Sequence, residues 1–290
     1  MALDGDVYNL EELAREAAVE RSLGDVPLLA ALYRRLGEDL LPRLRGDFLL
    51  VVWDERERSG LLVRDQTAGR ALVHRAEGGR LLFASEVKHL LPLLPRAPEP
   101  DTVGMAHWIG ASAPPGDRTL YAGVRRLRAG HLLRLRGRPT RPERYWEPRY
   151  TGVLEGSPQE LGEGLRDVLA QAVRRRLPTT ERTGLLLSGG LDSSGVAAIA
   201  SRLMPPGRRP SLSYSAVFPR HPSIDESSLI AKLARDNQLQ AVCMEVRRGS
   251  LFPGTVDYLR NWRVPPTSPN PLLLESAVSL GGRVRTHGPA

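Results

Sequence analysis

Two kinds of hydrophobic spacing divide the first half of the chain. Apolar residues recur at helical spacing through residues 10–41, which predicts one or two helices. After Gly46 the apolar residues fall into short runs that are separated by turn residues, a pattern typical of strands. The predicted strands are 47–54, 60–65, 71–74, 80–85 and 130–135. We therefore expect a mostly antiparallel β assembly with helices at one side.

The second half alternates helical and strand patterns. Ser157 and Glu160 have the spacing of a capping box, which predicts a helix that ends before Pro178. The apolar residues on one face of that helix are Leu161, Leu165, Val168, Leu169, Ala172 and Val173. The segments that follow are predicted as a buried parallel strand at 183–187, a strand at 212–218, a helix at 227–237 and a strand at 240–246. This alternation predicts an open α/β sheet.

Length and composition fit a protein of two domains. The chain has 290 residues, and prolines and glycines concentrate between residues 139 and 158. We therefore predict domains at 1–148 and 159–290, joined by a linker at 149–158. No apolar run is long enough for a membrane span, and no secretory signal is expected from the first residues, so the predicted location is the cytoplasm. A single cysteine, Cys243, excludes an internal disulfide and a multi-thiolate metal site.

The net charge of +8 comes almost entirely from arginine, since Lys88 and Lys232 are the only lysines. A basic chain can bind nucleic acid or anionic substrates. Here the arginines are scattered as singles and pairs, with one triple at 174–176, and aromatic residues make up only 5% of the chain. This pattern favours a solvated, arginine-rich surface over a nucleic-acid interface.

One segment has the pattern of an anion-binding loop. Residues 188–194 read Ser-Gly-Gly-Leu-Asp-Ser-Ser and lie between a predicted strand and an apolar helix. Glycines let backbone N–H groups converge on a phosphate, the helix N-terminus adds its dipole, and the serine hydroxyls add donors. Asp192 would repel a phosphate directly, which predicts a Mg²⁺ ion between the two. The segment matches neither a Walker loop nor a dinucleotide fingerprint, and the alternative is a glycine-rich turn with a serine cap.

These residues resemble a known family. Ser188–Ser193 is similar to the pyrophosphate loop of the ATP pyrophosphatases, which include the asparagine synthetases. The first half contains segments that resemble the asparagine synthetase glutaminase domain, in the same order: 4–9, 46–54, 64–65 and 83–88. Arg144–Trp146 resembles the family's exit into the synthetase domain. The resemblance implies an α+β, Ntn-hydrolase-like glutaminase domain, followed by an α/β ATP-pyrophosphatase (PP-loop, adenine nucleotide alpha-hydrolase-like) domain.

The resemblance also implies roles for individual residues of the second half. Asp192 and Ser193 would act in catalysis, and Asp192 would hold Mg²⁺. The residues implied to bind ATP are Leu187, Ser188, Gly189, Gly190, Asp192, Ser193 and Ala216. Ala216 falls on the strand whose backbone meets adenine in this family. Asp225 and Glu226 match an Asp-Glu pair of the family, although a plain helix cap explains the same two residues.

The first half departs from the family at its reaction centre. The family's nucleophile is a cysteine at the mature N-terminus, whereas this chain begins Met1-Ala2, and Cys243 is interpreted as a core residue of the other half. The family's Asn-Gly oxyanion pair is Asp4-Gly5 here, and a carboxylate opposes a developing oxyanion. The glutamine-binding aspartate of the family aligns with Gly24, next to Asp25. Glutamine hydrolysis by this chain as written is therefore not expected.

Both ends of the resemblance are incomplete. Residues 262–271 and 272–277 resemble the substrate-side loop and helix of the family, which then continues with a strand and a Gly-Asp-x-x-Asp-Glu loop. Residues 280–290 do not contain that loop, and the first strands of the family's glutaminase domain have no counterpart. We therefore expect a fragment, or a frame-disrupted copy, of a longer protein, with an exposed strand edge and apolar helix faces.

The resemblance implies an ATP-dependent, amide-forming ligase of the asparagine synthase type. ATP would activate the aspartate β-carboxylate as an acyl-adenylate, and ammonia, free or from glutamine, would give asparagine, AMP and pyrophosphate. The expected small molecules are ATP, Mg²⁺, aspartate or another carboxylate, and ammonia or glutamine. The resemblance leaves open whether the protein forms a homodimer. Two alternatives also stay open: a lactam or macrolactam synthetase, whose amine lies within the substrate, and an inactive nucleotide-binding remnant. A tRNA-modifying enzyme would leave the β-rich first half unexplained.

Overall fold

The computed structural model describes residues 1–20, 24–136, 138–139, 141–177, 184–204, 212–245, 251–266 and 285–286. The chain divides into two units, and the first boundary, after Tyr150, falls inside the predicted linker. Unit 1 is Met1–Tyr150 with Leu259–Thr267, and unit 2 is Thr151–Tyr258 with Ser268–Ala290. None of the described helices combines the length and the apolar character that crossing a lipid bilayer requires.

Unit 1 contains two antiparallel sheets and short helices. Its strands are β1 (Ala2–Val7), β2 (Gly46–Asp54), β3 (Ser59–Arg64), β4 (Val73–Glu77), β5 (Arg80–Ala84), β6 (Arg125–Arg126), β7 (His131–Arg136), β8 (Arg138–Pro139) and β9 (Glu143–Arg144). Its helices are α1 (Leu10–Glu16), α2 (Asp25–Leu36), α3 (Val87–Leu90) and α4 (Thr102–Ile109), with 3-10 helices at Gly37–Arg43 and Leu91–Leu93. The larger sheet has the order β1-β2-β3-β7-β8, with β9 also paired to β7, and the smaller has the order β5-β4-β6.

The central strands of the larger sheet are buried on both faces. Phe48 and Leu50 of β2 share a core with Leu29 and Leu32 of α2, whereas Leu49 belongs to a second core on the opposite face. β3 and β7 divide their apolar residues between the two cores in the same way. Because successive side chains of a strand point to opposite faces, a continuous apolar run fills both cores at once.

Most of the strands predicted for this half are confirmed. The predictions at 47–54, 60–65, 80–85 and 130–135 agree with β2, β3, β5 and β7 to within one residue at each end. The strand predicted at 71–74 is displaced, since β4 begins only at Val73. The carbonyl of Leu72 instead accepts from the N–H of Leu127 at 3.0 Å, before the ladder with β5 starts. The helical region 10–41 divides into α1, α2 and part of the 3-10 helix that follows.

Unit 2 is built on parallel strands. Its strands are β10 (Gly184–Leu186), β11 (Leu212–Val217), β12 (Gln240–Glu245) and β13 (Arg285–Thr286), in the order β10-β11-β12-β13. Its helices are α5 (Pro158–Arg176), α6 (Leu191–Leu203), α7 (Ser227–Asp236) and α8 (Leu251–Trp262), the last of which crosses the boundary after Tyr258. β10, β11 and β12 are mutually parallel, and β13 is antiparallel to β12. The predicted alternation of strands and helices is therefore confirmed. Of the loop predicted at 262–271, Trp262 ends α8 and residues 267–271 lie outside the described residues, as does the helix predicted at 272–277.

The apolar face predicted for α5 is largely open to solvent. The predicted capping box is present, because Ser157 Oγ accepts from the N–H of Glu160 and the N–H of Ser157 donates to Glu160 Oε2. Leu165 and Val168 are nevertheless 68% and 66% exposed, and Val173 is the buried residue of this helix. The periodicity therefore predicted which face of α5 is apolar, but it did not predict that most of this face is exposed to solvent.

A buried histidine makes the stability of unit 1 depend on pH. His74 on β4 is 8% exposed, and its Nε2 atom has no hydrogen-bond partner among the residues that the structure describes. Burial lowers the pKa of His74, an effect that Asp117 opposes and Arg125 reinforces. In the unfolded chain a histidine titrates near pH 6.5, so below about that pH the unfolded state binds a proton that the folded state binds less readily. The contribution of His74 to stability is therefore present above about pH 6.5 and is lost as the pH falls through its lower folded-state pKa.

We expect His74→Leu to remove this part of the pH dependence. Leucine cannot take up a proton, so the variant should lose less stability than the wild type between about pH 7.5 and pH 5.5. Urea unfolding of the full chain at both pH values measures the difference. His221→Gln changes an exposed histidine and serves as the control. An equal loss of stability in wild type and His74→Leu would show that His74 is not the group responsible.

Candidate active site

The candidate site is the loop between β10 and α6. Leu187 is buried at the start of this loop, and its N–H donates to the carbonyl of Tyr214 on β11 at 2.9 Å. The carbonyl of Leu187 accepts from Ser215 Oγ at 2.7 Å. These two bonds tie the start of the loop to β11. The loop therefore leaves the sheet at the carboxyl ends of its parallel strands, the edge where open α/β sheets bind their ligands.

The serines of the loop bond to the loop itself. The N–H of Ser188 donates to Ser193 Oγ at 3.0 Å, and the hydroxyls of the two serines lie 2.9 Å apart. Ser188 Oγ accepts from the N–H of Gly190 at 3.2 Å, and Ser194 Oγ donates to the carbonyl of Gly190 at 2.7 Å. The sequence suggested these hydroxyls as phosphate donors. In the structure they hold the tight turn that precedes α6.

The N-terminus of α6 provides backbone donors that no side chain caps within the described part of the chain. Gly190 is the N-cap residue, and glycine has no side chain that could bond to these donors. The first N–H groups of an α-helix have no partner within the helix, and the helix dipole adds positive charge at the same end. Leu191, in the first turn, is 92% exposed, so this end of the helix faces solvent. Such an end is suited to binding an anion.

Three carboxylates lie at or near the loop. Asp192 is exposed in the first turn of α6. Glu226 directly precedes α7, and its Oε2 accepts from the N–H of Gly189 at 3.0 Å. Asp225 Oδ1 accepts from the N–H of Phe218 at 2.7 Å and Oδ2 from the hydroxyl of Ser227 at 2.6 Å. The two donors hold the pKa of Asp225 below its ordinary value. The side chain of Glu226 makes no capping bond to α7, so the helix-cap explanation does not account for it.

The other residues singled out in unit 2 lie on β11 and β12. Ala216 is half-buried, pairs with Met244 and lies two residues beyond the last β10–β11 pair, at the carboxyl edge of the sheet. Cys243 is half-buried and packs against the apolar core of unit 2, as interpreted from the sequence. Burial and the charge of Asp225 raise the pKa of its thiol. In the part of the chain that the structure describes, no three His, Cys, Asp or Glu side chains gather as a metal site.

In unit 1 the residues matched to the oxyanion pair lie on β1. The carboxylate of Asp4 is 3.9 Å from Arg70 Nη1, and both side chains are largely exposed. Gly5 has a φ of +105°, and a Cβ atom there would lie 2.1 Å from the carbonyl oxygen of Asp47, so only glycine fits. Gly24 precedes α2 and Asp25 is its first residue.

Comparison with known sequences connects both units to one family. The family profile described as a glutamine amidotransferase domain matches residues 1–146, half of the chain, and the profile described as asparagine synthase matches residues 164–262. The chain belongs to the asparagine synthetase family. The resemblance drawn from the loop and from the segments of the first half is thereby confirmed.

Individual relatives of the chain support the same assignment. The chain is 29% identical to an amidase of Gibberella zeae, chry2, over 80% of its length, and 29% identical to asparagine synthetase 3 of Bacillus subtilis over 73%. It is 32% identical to an asparagine synthetase of Zea mays over 70% of its length. The matches cover 36%, 35% and 30% of these relatives, so the chain spans about a third of their length.

Two contacts of the loop were not predicted from the sequence: the bond from Ser215 and the bond to Glu226. Ser215 has a detectable signal, because it lies on the predicted strand at 212–218, and a hydroxyl that becomes buried in a sheet needs an acceptor. The contact of Glu226 with Gly189 joins residues 37 positions apart. No local pattern specifies such a contact, because it depends on where α7 packs.

Proposed function

We propose that unit 2 binds ATP at Ser188–Ser193 and that the whole protein is an ATP-dependent, amide-forming ligase of the asparagine synthase type. The supporting observation is the start of α6, where backbone donors without a side-chain cap face solvent. One amide of the loop already binds an anion of the protein itself, the Glu226 carboxylate. A backbone N–H that donates to a carboxylate oxygen also suits a phosphate oxygen.

Asp192 is the residue that would hold Mg²⁺. Proteins commonly bind Mg²⁺ through one or two carboxylates together with substrate phosphates, rather than through a cage of protein ligands. A single exposed carboxylate in the first turn of α6 fits that pattern. When bound, the ion would neutralise negative charge on the phosphates.

The proposed reaction joins an amine to a carboxylate. A carboxylate oxygen of the substrate attacks the α-phosphorus of ATP, pyrophosphate leaves, and the amine nitrogen then displaces AMP from the acyl-adenylate. The loop would hold the leaving pyrophosphate, with Ser193 fixing the turn and the backbone of Leu187 and Ala216 bordering the nucleotide. These residues act by alignment and by stabilising charge.

Aspartate and ammonia, free or from glutamine, are the first candidate substrates. The same proposal includes an Ntn-hydrolase-like fold for unit 1 and an ATP-pyrophosphatase fold for unit 2.

A second candidate keeps the nucleotide chemistry and takes the amine from within the substrate, as in lactam formation. Two relatives are named as amidases, chry2 of Gibberella zeae and chyE of Penicillium rubens. In unit 1 a carboxylate, Asp4, stands at the position matched to the oxyanion pair. An amine within the substrate would make glutamine hydrolysis, and therefore that oxyanion pair, unnecessary.

Pyrophosphate–ATP exchange by the full-length protein separates the candidates. Labelled pyrophosphate enters ATP only when a carboxylate is activated reversibly, so the assay reports the acyl substrate directly. Exchange that requires aspartate supports the asparagine synthase type. Exchange that requires substrates with an amine of their own, and not aspartate, supports the second candidate. ATP binding without exchange for any carboxylate would identify a nucleotide-binding remnant, and absence of ATP binding would overturn the proposal as a whole.

A further inference from the structure

The phosphate loop of unit 2 already has an anion bound to it. The N–H of Gly189 donates to Glu226 Oε2 at 3.0 Å. A backbone N–H forms one strong hydrogen bond at a time, so this amide is occupied while Glu226 remains in place. The carboxylate also places negative charge where the proposed phosphate would approach the loop.

The scaffold around Glu226 directs its side chain to the loop. The preceding residue, Asp225, is bonded to Phe218 at the end of β11 and to Ser227 in the first turn of α7. α7 is in turn anchored by Ile230 and Ala234, which are buried in the same core as Leu187. The bond from Glu226 to the loop therefore starts from a fixed backbone.

Gly189 brings the loop close enough for this bond. A Cβ atom at this position would lie 3.0 Å from Glu226 Cδ and 3.0 Å from Leu229 Cδ2, which is tighter than ordinary side-chain contact. Glycine therefore allows the loop to lie directly against the start of α7. The Glu226 side chain is exposed, and its carboxylate lies on the loop through this bond.

We propose that Glu226 competes with phosphate for the amide of Gly189 and thereby makes nucleotide binding depend on a divalent cation; this inference rests on the proposed ATP site. Without a cation, an incoming phosphate must displace the carboxylate and meets its negative charge. With a cation, the charge of the phosphates is reduced and the carboxylate is displaced at lower cost. Glu226 is therefore a specificity-determining residue that disfavours free polyphosphates.

Glu226→Gln tests this competition, because glutamine retains an acceptor oxygen and removes the charge. We expect the full chain carrying Glu226→Gln to bind ATP and pyrophosphate about tenfold more tightly than the wild type in EDTA. With excess Mg²⁺ the gain should shrink to about twofold, because the cation already offsets the charge. Isothermal titration calorimetry measures both affinities without relying on catalysis. Glu163→Gln, an exposed glutamate on α5, is the control and should change neither.

Glu226→Ala separates competition from support of the loop. If the carboxylate competes, removing it also tightens binding in EDTA; if it holds the loop in shape, its removal weakens binding and the inference is wrong. Unchanged affinity of both variants, with normal binding by the wild type, would also overturn the inference and leave the ATP site intact. If neither the wild type nor any variant binds ATP with or without Mg²⁺, the proposed function itself fails, and the inference fails with it.

Discussion

Asp192→Ala should reduce Mg²⁺-dependent ATP binding by about 100-fold or more. Asp192 is exposed in the first turn of α6, beside the uncapped amides, and is the residue that we expect to hold the ion. Without its carboxylate, the protein contributes no charged ligand from this turn. Titration calorimetry of ATP in Mg²⁺ and in EDTA measures the loss.

The affinity in EDTA provides an internal check on Asp192→Ala. Alanine also removes a negative charge near the phosphates, so binding without the cation should stay equal or become tighter. Asp167→Ala, an exposed aspartate on α5, is the matched control and should leave both affinities unchanged. If Asp192→Ala retained the full Mg²⁺ dependence, the assignment of the metal to this turn would be wrong.

Asp65→Ala should destabilise unit 1 by about 2–4 kcal/mol. Asp65 is 0% exposed and follows β3 directly. Its Oδ1 accepts from the N–H of Thr67 at 2.8 Å, the hydroxyl of Thr67 at 3.0 Å and the N–H of Gly69 at 3.1 Å. Alanine removes the shared acceptor and leaves a gap beside the core, so the turn loses several bonds at once. Urea unfolding of the full chain, followed by circular dichroism, measures the effect.

Asp54→Ala is the matched control for Asp65→Ala. Asp54 also accepts from two backbone N–H groups of a turn, those of Arg56 and Glu57, but it is exposed. Water replaces an exposed acceptor readily, so this variant should cost less than about 1 kcal/mol. Equal losses in the two variants would show that burial of the Asp65 carboxylate adds nothing to the stability of unit 1.

The strands of unit 1 could be predicted because the packing follows the alternation of their side chains. β2, β3 and β7 are rich in apolar residues, and each contributes to cores on both faces. β1 was not predicted from the sequence, because Asp4, Gly5 and Asp6 interrupt the run of apolar residues that marks the other strands. It is held by its backbone ladder to β2 and lies at the edge of the sheet, where exposed polar side chains are tolerated.

The candidate site was predictable as a segment and not as a set of contacts. The strand, the glycines and the following helix placed the loop correctly between β10 and α6, because each of these is a local signal. The bond between Glu226 and Gly189 could not be predicted, because it depends on how α7 packs against the sheet. The bonds that the serine hydroxyls make within the turn are equally invisible to a linear pattern.

The open face of α5 determines how this helix fluctuates. With Leu165 and Val168 exposed, the first three turns of α5 are stabilised mainly by interactions within the helix itself. The capping box at Ser157 contributes about 1 kcal/mol, whereas Gly162 and Gly164 each cost up to about 1 kcal/mol relative to alanine. The free energy of opening is therefore small at the N-terminal end and rises toward Val173, the buried residue of this helix. Amide hydrogens near the N-terminal end of α5 should therefore exchange with solvent faster than those near Val173. The helix should unwind from Ser157 while the sheet of unit 2 remains folded.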